Sequence, residues 1–368
     1  MDTLVHYLTA YSSTKYVLAL GAYMVLVRHL RYKRIRALQA KYPDPTLPFR
    51  NLNVAREIAA NVAVLEFPYL NTVALEFALF KTYSIPSISK ILAATRQFTS
   101  NCLKRADDTS LILAEMNQTY SRKLLRETLE GKTDPVEDLN DLKRSQMATE
   151  RLNWIHGHYP IKQEDYLYTL ALFILEPGSW IDRFEWRPLS ELERNALLAL
   201  WFENGQNMNI QNIPTSYEAV AEWSEAFERE YMVYAPSNVA IANSTVNHLL
   251  SRAPAAVHPF GRKVVSALLT PRLRKAFDMP APSRRFVAMI ETALWLRGGF
   301  IKYFMLPRKI PVVRTAPRAN KEGRYVPRFN KYEPVYPNGY TIDELGPDKF
   351  RGKCPVPHNA TSLPPQDL

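Results

Sequence analysis

Arg151-Leu-Asn-Trp-Ile-His156-Gly-His158-Tyr159, Glu164-Asp165-Tyr-Leu-Tyr-Thr-Leu-Ala-Leu-Phe173 and Glu176-Pro-Gly-Ser-Trp180 follow one another within residues 151 to 180. Leu167, Leu170, Ala171 and Ile174 fall on one face of a 3.6-residue repeat, without the apolar–polar alternation a strand would need. That helical pattern covers 164 to 175, and, working outward, Leu, Ala, Ile and Phe keep helical spacing at 53 to 80, 84 to 100, 108 to 130, 137 to 159, 188 to 205 and 215 to 232. Helical patterns resume at 240 to 250, 262 to 269 and 283 to 305. Ser190 ahead of Glu191 and Glu193, and Pro214-Thr-Ser216 ahead of Glu218, carry the capping oxygen and acidic first turn that start a helix. The predicted fold class is all-α, with no internal repeat.

The flanks read differently. Residues 16 to 27 are Tyr-Val-Leu-Ala-Leu-Gly-Ala-Tyr-Met-Val-Leu-Val, preceded by a mildly polar run with His6 and Lys15. Residues 4 to 27 are long enough to span hydrocarbon. The cluster Arg28-His-Leu-Arg31-Tyr-Lys33-Arg34-Ile-Arg36 places its own side in the cytosol by the positive-inside rule. Charges follow the apolar core and no cleavage site appears, so an uncleaved anchor is expected rather than a signal peptide. The alternative is an amphipathic or buried first helix. Closely spaced prolines at 42 to 48 mark a linker. The expected division is an anchor with its basic flank at 1–36, a linker at 37–50, a helical domain at 51–305 and a Pro-rich tail at 306–368. That tail is expected to lie extended on the surface or to be partly disordered.

The chain has 368 residues, 46% of them apolar, enough for a sizeable core. Its formal charge of +11 favours anionic partners. No zinc-finger spacing or RNA-binding aromatic motif accompanies it, so nucleic acid is not an expected partner. Two cysteines, Cys102 and Cys354, give no disulfide framework and no cysteine-based zinc or iron–sulfur site.

Several chemistries lack their motifs. There is no Gly-rich dinucleotide turn, phosphate loop or Gly-x-Ser-x-Gly elbow. No Glu precedes a His by three residues, as a carboxylate-bridged di-iron bundle requires, and His-x-Asp and His-x-Glu are missing. Phe350-Arg-Gly-Lys-Cys354 has the wrong spacing for the cysteine loop of thiolate-ligated haem enzymes. His156 and His158 would point roughly 200° apart on a helix, so they cannot share an ion, but one of them could ligate a haem alone.

The motifs between 151 and 180 resemble the catalytic domain of the family of the ER-bound fungal oxygenase MpaB and the bacterial rubber oxygenase, or latex clearing protein. The resemblance continues in Phe80-Lys-Thr-Tyr-Ser-Ile-Pro86 with Ser89-Lys90, in Arg105-Ala-Asp-Asp-Thr109 and in Phe184-Glu-Trp-Arg187, covering about residues 50 to 235. It is greater to the fungal branch, where a membrane helix precedes the domain. It implies a single large helical catalytic domain, a globin-like core with extra helices, behind an N-terminal transmembrane helix. It further implies a membrane-bound oxidoreductase at the endoplasmic reticulum, facing the cytosol. With heme b as cofactor, such an enzyme uses dioxygen to cleave a C=C bond of a lipophilic prenyl or polyketide-type substrate in fungal secondary-metabolite biosynthesis.

Residue roles follow from the same resemblance. His156 matches the proximal haem ligand; the plain alternative is a core histidine bonded to a carbonyl. Lys81 and Thr82 match a pair near bound dioxygen, where a cationic or hydroxyl donor stabilises developing negative charge; otherwise they are a solvated helix end. The rubber enzyme has an arginine three residues before that lysine, where this chain has Ala78. Arg151 and Arg105 could pair a haem propionate or close an ion pair with Asp107, Asp108 or Asp165. Asn153, Tyr159 and Asp165 could steady the His156 helix, while Trp154, Trp180, Trp186 and Trp201 read as core. Two alternatives stay open: a same-fold enzyme performing hydroxylation or rearrangement, and a membrane-tethered binding protein without catalysis.

Overall fold

The computed structural model describes the backbone of residues 2–353 and the side chains from residue 15 onward; Cys354 lies outside the described residues. Fifteen α-helices follow in order among them: α1 (Asp2–Lys41), α2 (Leu52–Ala60), α3 (Pro68–Thr82), α4 (Pro86–Ala94), α5 (Gln97–Ser100), α6 (Cys102–Asn117), α7 (Thr119–Glu130), α8 (Pro135–His156), α9 (Gln163–Phe184), α10 (Glu191–Asn207), α11 (Tyr217–Tyr231), α12 (Pro236–Leu250), α13 (His258–Leu268), α14 (Pro271–Ala276) and α15 (Arg284–Phe304). The described residues contain no strand, only an isolated bridge between Tyr325 and Tyr340. The fold is all-α, as expected.

Helix starts are set by local chemistry. Asn51 accepts from the N–H groups of Asn53 and Val54, and Asp134, Ser216, Thr270 and Ser283 cap α8, α11, α14 and α15 in the same way. Ser190 and Glu193 complete a capping box at α10. These oxygens satisfy donors that a first turn leaves unpaired.

Several boundaries differ from the periodic reading. Segment 53 to 80 is two helices, joined through a π turn at Asn61–Glu66 and bent by 105°. Segment 84 to 100 breaks at Arg96, whose φ is +58°, and 108 to 130 breaks at Gln118. Conversely, α9 runs past residue 175 to Phe184 with Pro177 inside it. An interior proline costs a helix about 3 kcal/mol. Burial of Leu172, Ile174, Trp180 and Ile181 offsets that cost, since α9 crosses the middle of the largest core.

The composition of α1 does not by itself carry the membrane expectation. At 1.5 Å per residue α1 is about 60 Å long, yet no single helix among the described residues is long and apolar enough to cross a membrane. Residues 9 to 15, Thr-Ala-Tyr-Ser-Ser-Thr-Lys, interrupt the apolar run. Nor is the second half of α1 a free basic flank: Val27, Arg31, Ile35 and Leu38 are buried in the fold. The bent pair α2–α3 passes the same length and composition test. Its apolar residues Ala55, Ile58, Leu70, Ala74 and Ala78 are core.

Helices α3 and α9 pack side by side, with Ala78, Phe80, Tyr168, Leu170 and Ala171 between them and α11 and α12. Helix α15 closes one side against α9. A Cβ on Gly298 would come within 2.9 Å of the Phe184 carbonyl oxygen, so only glycine permits that approach.

The tail after Leu306 has little regular structure, but much of it is not on the surface. Val313, Thr315, Tyr340, Ile342 and Leu345 are buried. Four arginines hold it to α7 and α8. Arg122 donates to Thr315 Oγ1 at 3.3 Å, Arg126 to the Pro317 carbonyl at 3.1 Å, Arg144 to the Ala316 carbonyl at 2.8 Å, and Arg151 to the Leu345 and Phe350 carbonyls at 2.9 and 3.1 Å. Their charges meet carboxylates that are themselves buried. Glu115 takes Arg144 in a two-pronged pair at 2.6 and 2.9 Å and Arg122 at 3.2 Å, while Asp141 binds Arg122 and, at 2.7 Å, Arg126. The Tyr340 hydroxyl donates to Glu115 from the tail. Although burial alone would raise its pKa, Glu115 is held below the ordinary carboxylate value by Arg122 and Arg144.

Removing one member of such a cluster strands the others, at a cost of about 3–5 kcal/mol. Urea unfolding of Glu115→Ala should show that loss; a change under about 1 kcal/mol would mean the cluster does not hold the tail. Because the folded pKa is depressed, this contribution is present above the unfolded glutamate value of about 4.3 and fades as pH falls through the folded one. Glu115→Gln should therefore lose less stability than wild type on acidification below about pH 4.3, measured by the same unfolding curves.

Candidate functional site

Helix α8 starts on its Asp134 cap and ends at His156, where Gly157 begins the turn into α9. Pro160 forces an extended chain there, and α9 opens with Glu164 and Asp165, acidic residues that suit a helix N-terminus. Tyr166 in this first turn lies against His156, ring centroids 5.6 Å apart. Arg105, on the first turns of α6, places its charge within reach of both His156 and Tyr83. The guanidinium carbon of Arg105 sits 5.8 Å from the Phe98 ring of α5, and Phe98 meets Tyr83 edge-on at 5.2 Å. The ends of α3 and α8 and the starts of α6 and α9 thus converge, with α5 between.

The electrostatics of this cluster are unusual. Burial, and then the Arg105 charge, push the His156 pKa down to about 4, so the ring is neutral at physiological pH. Its Nδ1 is fully covered and meets no hydrogen-bond partner. Leaving such an atom unpaired costs about 1–3 kcal/mol, and native proteins rarely keep one without a reason. Burial pushes Tyr83 up to about 12, against the opposing pull of Arg105, so its phenol stays protonated. Both side chains sit deep in the domain and both keep part of their surface uncovered. Arg105 donates to Thr109 and is paired with no carboxylate among the described residues.

The other sequence-derived residues go elsewhere. Lys81 is clamped between Glu176 at 3.0 Å and Glu228 at 2.7 Å. Trp180 Nε1 and the Tyr168 hydroxyl donate to the same two carboxylates, each at 3.2 Å. The Thr82 hydroxyl donates to the Leu79 carbonyl at 2.7 Å. Arg151 faces the tail, not the His156 ring. Asp107 pairs with Arg314, Asp108 with Lys104 at 2.8 Å, and Asp165 accepts from Ser87 at 2.7 Å, so none of them pairs with Arg105 or Arg151. Asn153 donates to the Asn207 carbonyl at 2.9 Å, fixing α8 to the end of α10. His158 turns the other way, onto Trp154 and Phe350. Tyr159 lies by Phe350 and Lys349. Ala78 is fully buried in the α3–α9 packing, and Trp180, Trp186 and Trp201 are core.

Three members of the site, Tyr83, Phe98 and Tyr166, have no role in the sequence reading. Tyr83 and Tyr166 stand inside quoted motifs, next to Thr82 and Asp165. The available signal was an aromatic residue beside each polar motif, but only folding shows that these aromatics face one histidine. A separate open cleft of about 460 Å³ lies on the surface, with Ser87, Lys90, Lys162, Asp165 and Glu230 in its wall. Ile85, Ile91, Tyr231 and Val233 stand in the same wall, and neither His156 nor Arg105 lines it.

Residues 84–298 match the family described as "ER-bound oxygenase mpaB/B'/Rubber oxygenase, catalytic domain", a span that includes His156, Arg105, Arg151 and Tyr166 but not Lys81 or Thr82. The chain is 30% identical to ER-bound oxygenase mpaB' of Penicillium brevicompactum, over 93% of this chain and 90% of that protein. It is 34% identical to ER-bound oxygenase mpaB of Penicillium roqueforti, over 69% of this chain and 86% of the relative. With the mpaB of Penicillium brevicompactum the identity is 32%, over 73% and 69%. The chain therefore belongs to the family of ER-bound mpaB/B' and rubber oxygenases, and it is an oxygenase that acts on a small molecule with dioxygen.

Proposed function

We propose that this oxygenase uses a haem b held by His156 to cleave a C=C bond of a lipophilic, prenyl- or polyketide-type substrate in secondary metabolism. The observation that carries the reading is the neutral His156 ring whose buried Nδ1 has no hydrogen-bond partner. Such a ring has a lone pair to offer a metal. No three His, Cys, Asp or Glu side chains converge on an ion site among the described residues, so a metal here has to bring most of its own ligands, as a porphyrin does. Tyr83, Phe98 and Tyr166 supply aromatic walls, and Arg105, free of carboxylates, is the cation suited to a propionate.

Bound there, a haem would supply dioxygen activation. The protein's own contribution is positional and electrostatic. Tyr83 keeps its proton on Oη near neutral pH and can donate it in a hydrogen bond to an oxygen that gains negative charge. Lys81 and Thr82 serve by fixing the end of α3 that presents Tyr83. The aromatic walls exclude water and bind the apolar substrate through buried area. Residues 51–305 form the oxygenase domain in this reading, with 1–36 as attachment segment, 37–50 as linker and the tail as a brace. In this reading α1 attaches the chain to the endoplasmic reticulum membrane through the exposed apolar residues Tyr16 to Leu20, with the domain on the cytosolic side.

The first test is the visible spectrum of detergent-purified protein beside His156→Ala. A Soret band present in wild type and lost in the variant, with helical circular dichroism retained, is the expected outcome; no band after haem reconstitution overturns the cofactor. With labelled dioxygen, cleavage places one labelled oxygen in each of two carbonyl products. A single labelled hydroxyl would show hydroxylation instead. Alkaline carbonate should leave the chain in the membrane pellet, and its release would make α1 an interfacial helix.

A further inference from the structure

We propose that α15 is a second membrane-contacting element, whose exposed apolar face lies in the interface of an anionic bilayer beside the point where α1 leaves the domain. The proposal goes beyond attachment through α1 and does not require α1 to span.

Helix α15 is divided lengthwise. Its inner side, with Gly298 and Ile301 buried, packs on α9. Its outer half carries Met289, Trp295, Leu296, Phe300 and Phe304, and Trp295, Leu296 and Phe300 are 66%, 57% and 56% exposed. The two charges in the middle of the helix stand at the edges of this strip and are paired, Glu291 with Arg183 at 2.8 Å in a solvent-exposed pair and Arg297 with the buried Glu185 at 3.1 Å. Soluble proteins seldom leave such an apolar strip in water.

Cations bracket the strip. Arg284 and Arg285 stand at its start, Lys302 and Lys309 at its end, and Lys263 of α13 lies over Phe286. None of them has a carboxylate partner among the described residues. An apolar face with an exposed tryptophan, framed by unpaired cations that can reach headgroups, is the pattern of a helix lying in a bilayer interface. Another protein would be expected to answer those cations with carboxylates; an anionic leaflet answers all of them at once.

Position supports the same occupant. The Tyr23 hydroxyl of α1 donates to the Phe304 carbonyl at 2.9 Å, and Arg31 donates to the Met305 carbonyl at 2.6 Å. N-terminal to that junction, α1 exposes Tyr16, Val17, Leu18 and Leu20. The two apolar surfaces thus meet at one corner of the molecule, with Met305 and Leu306 exposed between them.

Trp295 makes the test direct, because it is exposed whereas Trp180, Trp186 and Trp201 are buried and Trp154 and Trp223 half-buried. Full-length protein would be mixed with vesicles of equimolar phosphatidylcholine and phosphatidylserine carrying acyl-chain bromine, a contact quencher. Strong quenching that disappears in Trp295→Phe is expected. Neutralising Arg284→Gln with Arg285→Gln should weaken partitioning to these vesicles by more than about ten-fold, with a smaller effect on pure phosphatidylcholine. Flotation with the vesicles but no quenching of Trp295 overturns the inference and leaves attachment through α1 standing. Failure to float overturns both. A stable dimer by light scattering in which Trp295 is shielded from both water and bromolipid assigns the face to a second copy and likewise overturns the bilayer reading.

Discussion

The arrangement depends on a charge cluster that has no access to water. Arg122, Arg126 and Arg144 meet Glu115 and Asp141 inside the protein, with Asp138 at the edge. Desolvating these groups is expensive, and their mutual attraction offsets the cost only when every partner is in place. The cluster is therefore satisfied in one geometry. It draws on α6, α7, α8 and the tail at once, which fixes their mutual placement more tightly than apolar packing would, since apolar contacts tolerate sliding.

That constraint reaches the site through the tail. Arg144 and Arg151 hold residues 316 to 350 along α8, and Gly346 lies so close that a Cβ would approach Ile155 Cδ1 to 2.6 Å. Ile155 immediately precedes His156. The tail thus braces the last turn of the helix that carries the histidine, while Asn153 ties the same turn to α10. A proline-rich segment with no long element of its own does this through carbonyls, which extended chain leaves free and arginine forks readily reach.

Charge is divided between two places with different consequences. Around Glu115 every cation is answered, and Lys81 is answered twice by Glu176 and Glu228, so these regions are rigid and electrostatically quiet. Beside His156, Arg105 makes no ion pair with a carboxylate among the described residues, and the imidazole and the Tyr83 phenol both remain neutral beside it. A cation without an ion-pair partner among neutral rings is suited to an anionic group or to negative charge that forms during a reaction.

Much of the fold was legible in the sequence. The 3.6-residue spacing gave the helical class, and Ser190 with Glu193 and Ser216 marked true helix starts, because a cap is satisfied by atoms only two or three residues away. The break at Arg96 and the passage of α9 through Pro177 were not legible, since a left-handed residue and an interior proline are tolerated only where burial outweighs their local cost. His156 and Arg105 could be named from motifs. That Arg151 turns to the tail, and that Tyr83, Phe98 and Tyr166 converge on one imidazole, required the packing of helices distant in sequence. The sequence by itself determined the helical class and the family, both of which are carried by local spacing and short motifs. Only the tertiary structure decided which arginine stands beside His156 without an ion pair, that the tail belongs to the core, and that one face of the second half of α1 is buried, because each depends on which groups distant in sequence are brought together.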